Sequence, residues 1–488
     1  MQEFITYNYI RNKIKKFSRK ELLISLYSLL KRVDLKDDNK PSAIWQVFLL
    51  IKWTYLNGEE PYNPKKLSDN EILQLLNYIE KFESITLNPY VKKHDWDSFF
   101  QIIGYQQLYL QKQIHWVYFA QQLKLYTSIT SKYDIEKSFL SKTGITIYDF
   151  LATSFILWMY TNMNSILKQY TYNGFIGTDV YEAYSYCLPI ETLDKYLKLL
   201  LLEDKNAQKI INSYKKSLIK NEFQPFEISF FTMFPFQNLS NSINIIHKSI
   251  FAHTCCYYIY DYLKENDESF TEEFGKRLEK YIEIGLLEAK INFITENELR
   301  ILYGKNEKVV DYLVDDCVLI ECKGIEPKPL PSVNPSINLV YNALKDSIIK
   351  AYTQQMLNVI KNKKNEKEYF GIIITYKTFY YSSLQDLWEI LKDDVEKFCT
   401  KNNLKENPLP PENVFIVDLL TWDKIVQILK CENISLFEIL KQAKNSNNIE
   451  KSLLFSSHLD KFENESCDLN YLQEEYRKFD ILFSKNES

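Results

Sequence analysis

The chain has 488 residues, 45% of them hydrophobic, and a formal net charge of −4. At about 150 residues per domain, two to four domains are expected. Gly and Pro are scarce, at 10 and 14 residues, which argues against a sandwich or barrel throughout and favours long helices. The small net charge does not exclude nucleic acid, because binding depends on a local basic patch rather than on the sum.

Residues 1–265 read as helix after helix. Ser18 with Glu21 and Ser68 with Glu71 have the spacing of capping boxes. Pro189 marks a further start ahead of Leu193, Leu197 and Leu200. Residues 225–236, with clustered Phe and two Pro, break the pattern and suit a short extended segment. Arg11, Lys13, Lys15, Lys16, Arg19 and Lys20 lie near Tyr9 and Phe17. They form either a phosphate-holding, base-stacking patch or a solvated face.

The pattern changes near residue 266. Phe270, Phe274, Leu278, Tyr281 and Ile282 recur at helical spacing. Apolar runs at 297–303, 308–314 and 317–323 predict a three-strand meander, divided by Gly304-Lys305-Asn306 and Asp315-Asp316. The proline-rich stretch 325–336 cannot be regular helix or inner strand. A helix at 337–361, a strand at 369–376, a helix at 383–401, a strand at 414–419 and a helix from Trp422 complete the order αβββαβαβα. Residues 443–488 are polar, with an apolar stretch at Tyr471–Phe483 that suits a docked helix or a loose tail.

The expected fold class is therefore multidomain. An all-α N-terminal region (1–265) precedes an α/β domain with an αβββαβ core and a mixed sheet (266–442), and a polar tail or helix (443–488) follows. No secretory leader is evident, since Glu3 stands where one would begin. The apolar stretch Phe150–Tyr160 is about half the ~20 residues of a membrane span. None of the eight cysteines forms a C-x-x-C pair. A reduced, cytoplasmic chain without membrane contact is expected.

The chemistry-bearing segment runs from Val309 to Gly324. Asp311, Glu321 and Lys323 interrupt strands that are otherwise apolar, and burying such charges costs several kcal/mol unless they are paired or bind a metal. Glu321 and Lys323 are two apart, so on a strand they share a face. A three-residue loop, 315–317, would place Asp311 opposite Glu321, whereas a two-residue loop would put them on opposite faces. Two carboxylates with a backbone carbonyl such as that of Cys322 suit Mg²⁺ or Mn²⁺. Lys323 could orient water or offset charge on a phosphate. In the bland reading Asp311 is a surface residue and Glu321 with Lys323 a surface pair. The flanking residues, apolar at both parities, argue for a strand buried on both faces instead.

With Val309-Val310-Asp311 and Leu319-Ile320-Glu321-Cys322-Lys323, the segment resembles the PD-(D/E)xK nuclease superfamily, the restriction-endonuclease-like fold. The resemblance covers roughly 266–430, with Val310 in place of the motif's proline. It implies a divalent-metal-dependent enzyme cutting DNA or RNA, with Asp311 and Glu321 as metal ligands and Lys323 as the catalytic lysine. It also implies a glutamate on the preceding helix, which is Glu279, or Glu283 one turn on. A polar residue on the following helix would be Gln355, or that residue is a plain core-edge amide. Lys328, in the proline-rich loop, and Lys350, on the helix after it, are candidate nucleic-acid contacts. A large helical region beside such a domain resembles a bacterial anti-phage effector switched on by a phage-derived or other protein trigger, and self-association is compatible with it. A tRNA-cleaving effector and a non-catalytic nucleic-acid-binding scaffold are the rivals. No P-loop, H-E-x-x-H pair or G-x-S-x-G elbow is found.

Overall fold

The computed structural model describes residues 5–34, 44–87, 104, 114–166, 178–202, 204–217, 224, 230–239, 242–326, 328, 337–363, 367–446, 454–462 and 468–484. The expected helix starts at 18 and 68 form. Ser18 Oγ accepts from the Glu21 amide and Ser68 Oγ from the Glu71 amide, each at 3.3 Å, opening helices Arg19–Asp34 and Asp69–Leu87. Pro189 is the N-cap of helix Ile190–Leu200, which buries Leu193, Leu197 and Leu200.

The N-terminal region is not all-α. A three-stranded sheet joins β1 (Leu201–Leu202), β2 (Phe236–Leu239) and β3 (Ser242–Ile245), with β1 parallel to β2 and β2 antiparallel to β3. Strands of two to four residues are too short to show a period of two in sequence. The extended segment expected at 225–236 is not found: Phe230–Thr232 is a 3-10 helix and only Phe236 is in a strand, while 225–229 lie outside the described residues. Among the described residues no helix is long and apolar enough to cross a membrane. Phe150–Tyr160 belongs to helix Ile147–Ile166. Cys431 is disulfide-bonded, contrary to the expectation of a fully reduced chain, since spacing alone reveals no such pairing.

The second sheet has five strands in the order β4 (Phe293–Thr295), β5 (Tyr312–Val314), β6 (Val318–Lys323), β7 (Phe370–Thr375) and β8 (Val414–Asp418). The first three are antiparallel neighbours; β7 and β8 add in parallel. The run 297–303 is not the first strand. It lies in helix Glu296–Tyr303, started by a complete capping box between Thr295 and Glu298. Its apolar Ile301 and Leu302 are exposed, so their hydrophobicity marked no buried strand. The strand lies just upstream, at β4. Helix Leu419–Cys431 starts three residues before Trp422, because Asp418 caps it by accepting from the Thr421 amide at 2.9 Å.

Both faces of the five-stranded sheet are covered. Val318, Ile320, Cys322, Ile372, Ile374 and Val417 pack into a core with helices Lys248–Asn266, Phe270–Glu288 and Leu419–Cys431. Leu313, Leu319, Ile373, Val414 and Ile416 face the opposite core. That core is built with the long helical element that begins at Ile337 and ends at Asn362 and with helix Trp388–Lys401. The alternation is the period-two signature of an inner strand. Gly285 lets the Phe270 and Leu419 helices touch, since a Cβ there would meet Trp422 Nε1 at 2.9 Å and Val426 Cγ2 at 3.1 Å.

The first of these cores does not stop at residue 265. It runs from Val117 to Leu482 and takes in helix Asn470–Ser484, so the C-terminal apolar stretch is docked. At its centre is Asp423, 3% exposed. Its carboxylate accepts from Gln121 Nε2 at 2.6 Å, Tyr471 Oη at 2.7 Å and Tyr281 Oη at 2.9 Å. One side chain thus ties together the N-terminal region, the sheet's helices and the C-terminal helix. Asp423→Ala would strand three buried donors, and should destabilise the fold by about 2–5 kcal/mol, read from the urea midpoint of unfolding. An unchanged midpoint would show that water replaces the carboxylate at no cost.

Candidate active site

The β5–β6 register decides whether the site exists. Val314 pairs with Val318, Leu313 with Leu319 and Tyr312 with Ile320. Residues 315–317 form the three-residue loop, and the next pair in the series is Asp311 with Glu321. The loop is held by left-handed backbone at Asp315 (φ 47°) and Asp316 (φ 63°), a region Asp tolerates better than most residues. The Asp316 carboxylate pairs with Lys363 and with Lys367, at 3.2 Å from the latter. Two members of the basic run 361–367 are therefore neutralised in holding the hairpin, and Lys364 lies outside the described residues.

Asp311, Glu321 and Lys323 share the sheet face turned toward the Ile337 helix. Asp311 Oδ2 accepts from the Cys322 backbone amide at 2.6 Å, so Cys322 contributes its N–H to the site while its side chain packs on the opposite face. Glu321 is 1% exposed. Its Oε1 accepts from Lys323 Nζ, and its Oε2 is buried without a hydrogen-bond partner. Glu279 comes from the Phe270 helix, whose carbonyl at that residue accepts from Tyr312 Oη at 2.9 Å. Glu283, the alternative, is instead paired with Lys280 at 2.8 Å.

Gln355 lies on the Ile337 helix where the α-helical ladder gives way to π turns, Lys345–Ile349 and Ala351–Met356. Such turns rotate the following residues relative to a regular helix. Gln355 donates to the Val309 carbonyl at 3.3 Å, its Oε1 is buried without a partner, and its amide lowers the Glu321 pKa. Gln354 is exposed. Lys350 is half-buried and among the described residues has no ion-pair or hydrogen-bond partner. Lys328 is exposed beyond the end of β6. Neither lysine is brought against the carboxylates. The N-terminal basic cluster is partly occupied: Lys15 pairs with Glu59 and Arg19 lies 5.2 Å from the Tyr55 ring centre.

The electrostatics are those of a site short of positive charge. Burial pushes the Glu321 carboxyl up, and Asp311 pushes it further against the pull of Lys323. Burial also raises Asp311, opposed by the Cys322 amide and Lys323. Glu279 is pushed up to about 7, by burial first and then by Asp311 and Glu296. Glu296 lies one residue before the run 297–303 expected as a strand, and the T-x-x-E capping signature at Thr295 is the sequence signal that it opens a helix instead.

Whether these residues could hold a divalent ion has a two-sided answer. Among the described residues no group of three or more His, Cys, Asp or Glu could do so as a set. Asp311 and Glu321 nevertheless offer two hard carboxylates, one with a buried, unpaired oxygen. Mg²⁺ is commonly held by one or two carboxylates while keeping several waters. The residues fit that partial shell, with Cys322 O as a further oxygen donor, and not a complete protein cage. The chain matches no family model, no curated protein and no solved structure.

The raised Glu279 pKa has a definite sign in stability. Its folded value, about 7, exceeds the unfolded value of about 4.3. Native-state protonation is therefore favoured, and its contribution is full below about pH 4 and lost as pH rises through about 7. Glu279→Gln should match wild type at pH 4 and exceed it at pH 8 by about 1–2 kcal/mol in urea unfolding without divalent ions, discounted for partial solvation. Equal stability at both pH values would mean that Glu279 is not under this strain.

Proposed function

We propose that the chain is a divalent-metal-dependent nuclease of the PD-(D/E)xK type that hydrolyses phosphodiester bonds of DNA. The observation that carries the reading is the register that sets Asp311, Glu321 and Lys323 on one buried face with a Glu321 oxygen unpaired. The order of helix, three-strand meander, helix and parallel strand is the one that reading requires. Asp311 and Glu321 would hold Mg²⁺ or Mn²⁺, with the Cys322 carbonyl beside them and Glu279 as a further carboxylate. When bound, the ion supplies a Lewis acid for a phosphoryl oxygen and makes a bound water more acidic.

The protein groups have separate tasks. Lys323 Nζ, paired with Glu321 Oε1, would place a positive charge where negative charge develops on the phosphate. Glu279, as a further carboxylate beside the ion, would support a second cation or orient the first. Gln355, anchored on the Val309 carbonyl, would offer a polar neighbour to the Glu321 carboxylate or to a bound water. Lys328 would contact the nucleic-acid backbone as a point charge, and Lys350 is a weaker candidate for the same task.

The helical region 1–265 would regulate this chemistry as part of a cytoplasmic bacterial anti-phage effector with a phage-derived or other protein trigger. RNA, such as tRNA, is the alternative substrate, since the phosphodiester chemistry is the same. A non-catalytic nucleic-acid-binding scaffold is favoured by one observation, the direct Lys323–Glu321 pair, which neutralises part of the site without a metal.

The test uses the full chain and Lys323→Ala with duplex DNA, single-stranded DNA and total RNA, in Mg²⁺, Mn²⁺ or EDTA. Metal-dependent DNA cutting should fall by about 10²–10³ in the variant. Mn²⁺ should raise the Tm of wild type and not that of Asp311→Asn. Lys328→Ala should weaken substrate affinity and leave the rate at saturation unchanged. Cutting of RNA alone would transfer the reading to the alternative substrate. Neither cutting nor a Mn²⁺ shift would leave the scaffold.

A further inference from the structure

Beyond the carboxylates lies a second charged cluster, at the carboxyl ends of the parallel strands β6 and β7. Lys377 follows β7 by two residues and is 7% exposed. Its Nζ contacts Asp261 on the Lys248 helix and Glu326 Oε2 at 3.3 Å. The same ammonium lies 5.2 Å from the Tyr257 ring centre and 5.3 Å from that of Tyr260. Glu326 also accepts from Lys264 Nζ at 2.5 Å. Tyr260 Oη donates to the Gly324 carbonyl at 2.9 Å. Gly324 itself is packed so closely that a Cβ would meet Phe274 at 3.2 Å.

These contacts converge on the chain just after Lys323. Gly324 and Glu326 are held by one helix, Lys248–Asn266, through Tyr260 and Lys264, and Lys377 bridges that helix to Glu326. Thr375, the partner of Lys323 in the β6–β7 register, donates its hydroxyl to the Lys377 carbonyl at 2.8 Å. Burial pushes the Asp261 carboxyl up even against Lys377, so the cluster is not arranged for cheap solvation. Replacing a buried ion cluster by packed apolar side chains is often neutral or stabilising. What charged partners supply instead is a fixed geometry.

We infer that Lys377, through Asp261 and Glu326, is a positioning residue that fixes the end of β6 and hence Lys323. Helix Lys248–Asn266 is then the element that carries this anchor, through Tyr260, Asp261 and Lys264. This rests on the nuclease reading for its catalytic consequence and not for its structural one. Lys377→Met keeps the stem between the two tyrosines and removes the charge. In full-length protein, amide hydrogen exchange of segment 318–326 should speed up by about tenfold or more, with helix Ile44–Asn57 unchanged. In the DNA-cleavage assay kcat should fall about tenfold with KM unchanged. Lys377→Arg should restore both.

Exchange in 318–326 that stays at the wild-type rate, or that rises equally throughout the chain, would overturn the inference. So would locally faster exchange with an unchanged kcat. If wild type cuts nothing, the nuclease reading fails by itself, and the exchange measurement alone decides whether Lys377 sets the end of β6.

Discussion

Glu321 sits in a strand with hydrogen-bonded neighbours on both sides and is 1% exposed. A carboxylate in such a place is tolerated only with partners. Lys323, on the same strand, donates to it, and Gln355 on the helix above is a polar neighbour. Asp311 from the hairpin partner and Glu279 from the helix at the edge add negative charge instead. The neighbours are themselves anchored: Asp311 by the Cys322 amide, Gln355 by the Val309 carbonyl, the Glu279 turn by Tyr312. The need to accommodate one buried acid organises a neighbourhood of five side chains on four elements. The accommodation remains incomplete in charge, which is why three carboxyls are raised together.

Where a side chain's position depends on parity along a strand, the sequence carried the answer. Val318 to Lys323 alternates between two cores, and counting by twos from Glu321 through a three-residue loop places Asp311 correctly. Counting failed where length was too small or context decided. The segment 297–303 has the apolar content of a strand, but Thr295 and Glu298 start a helix whose Ile301 and Leu302 face solvent. The β1–β3 sheet is built from strands too short to carry a period. The π turns around Gln355 depend on what the helix packs against, and local propensity does not encode them. The clusters at Asp423 and Lys377 join residues 302 and 116 positions apart, which no spacing rule reaches.

The helical region and the sheet are not separate bodies joined by a linker. The core that packs under β6 and β7 also contains Phe119, Phe150 and Tyr196 from the N-terminal helices and Phe479 from the last helix. Tyr126 donates to Tyr376 Oη at 3.0 Å, and Tyr376 donates to the Cys256 carbonyl at 3.2 Å, so polar contacts follow the apolar ones across the same boundary. The N-terminal helices thus pack beneath the strands in one shared, close-packed interior.

The left-handed Asp315–Asp316 turn has a consequence for how this chain can vary through descent. What it holds is a pairing and not a count. Any loop that keeps Val314 opposite Val318 keeps Asp311 on the side of Glu321, whereas a one-residue slip of one strand against the other would turn Asp311 away. The hairpin is also pinned from outside by Lys363 and Lys367 on Asp316, so a loop of another length would have to keep an acid within their reach. Length variation, ordinarily cheap at a surface loop, is here tied to holding the register in which the buried acids meet.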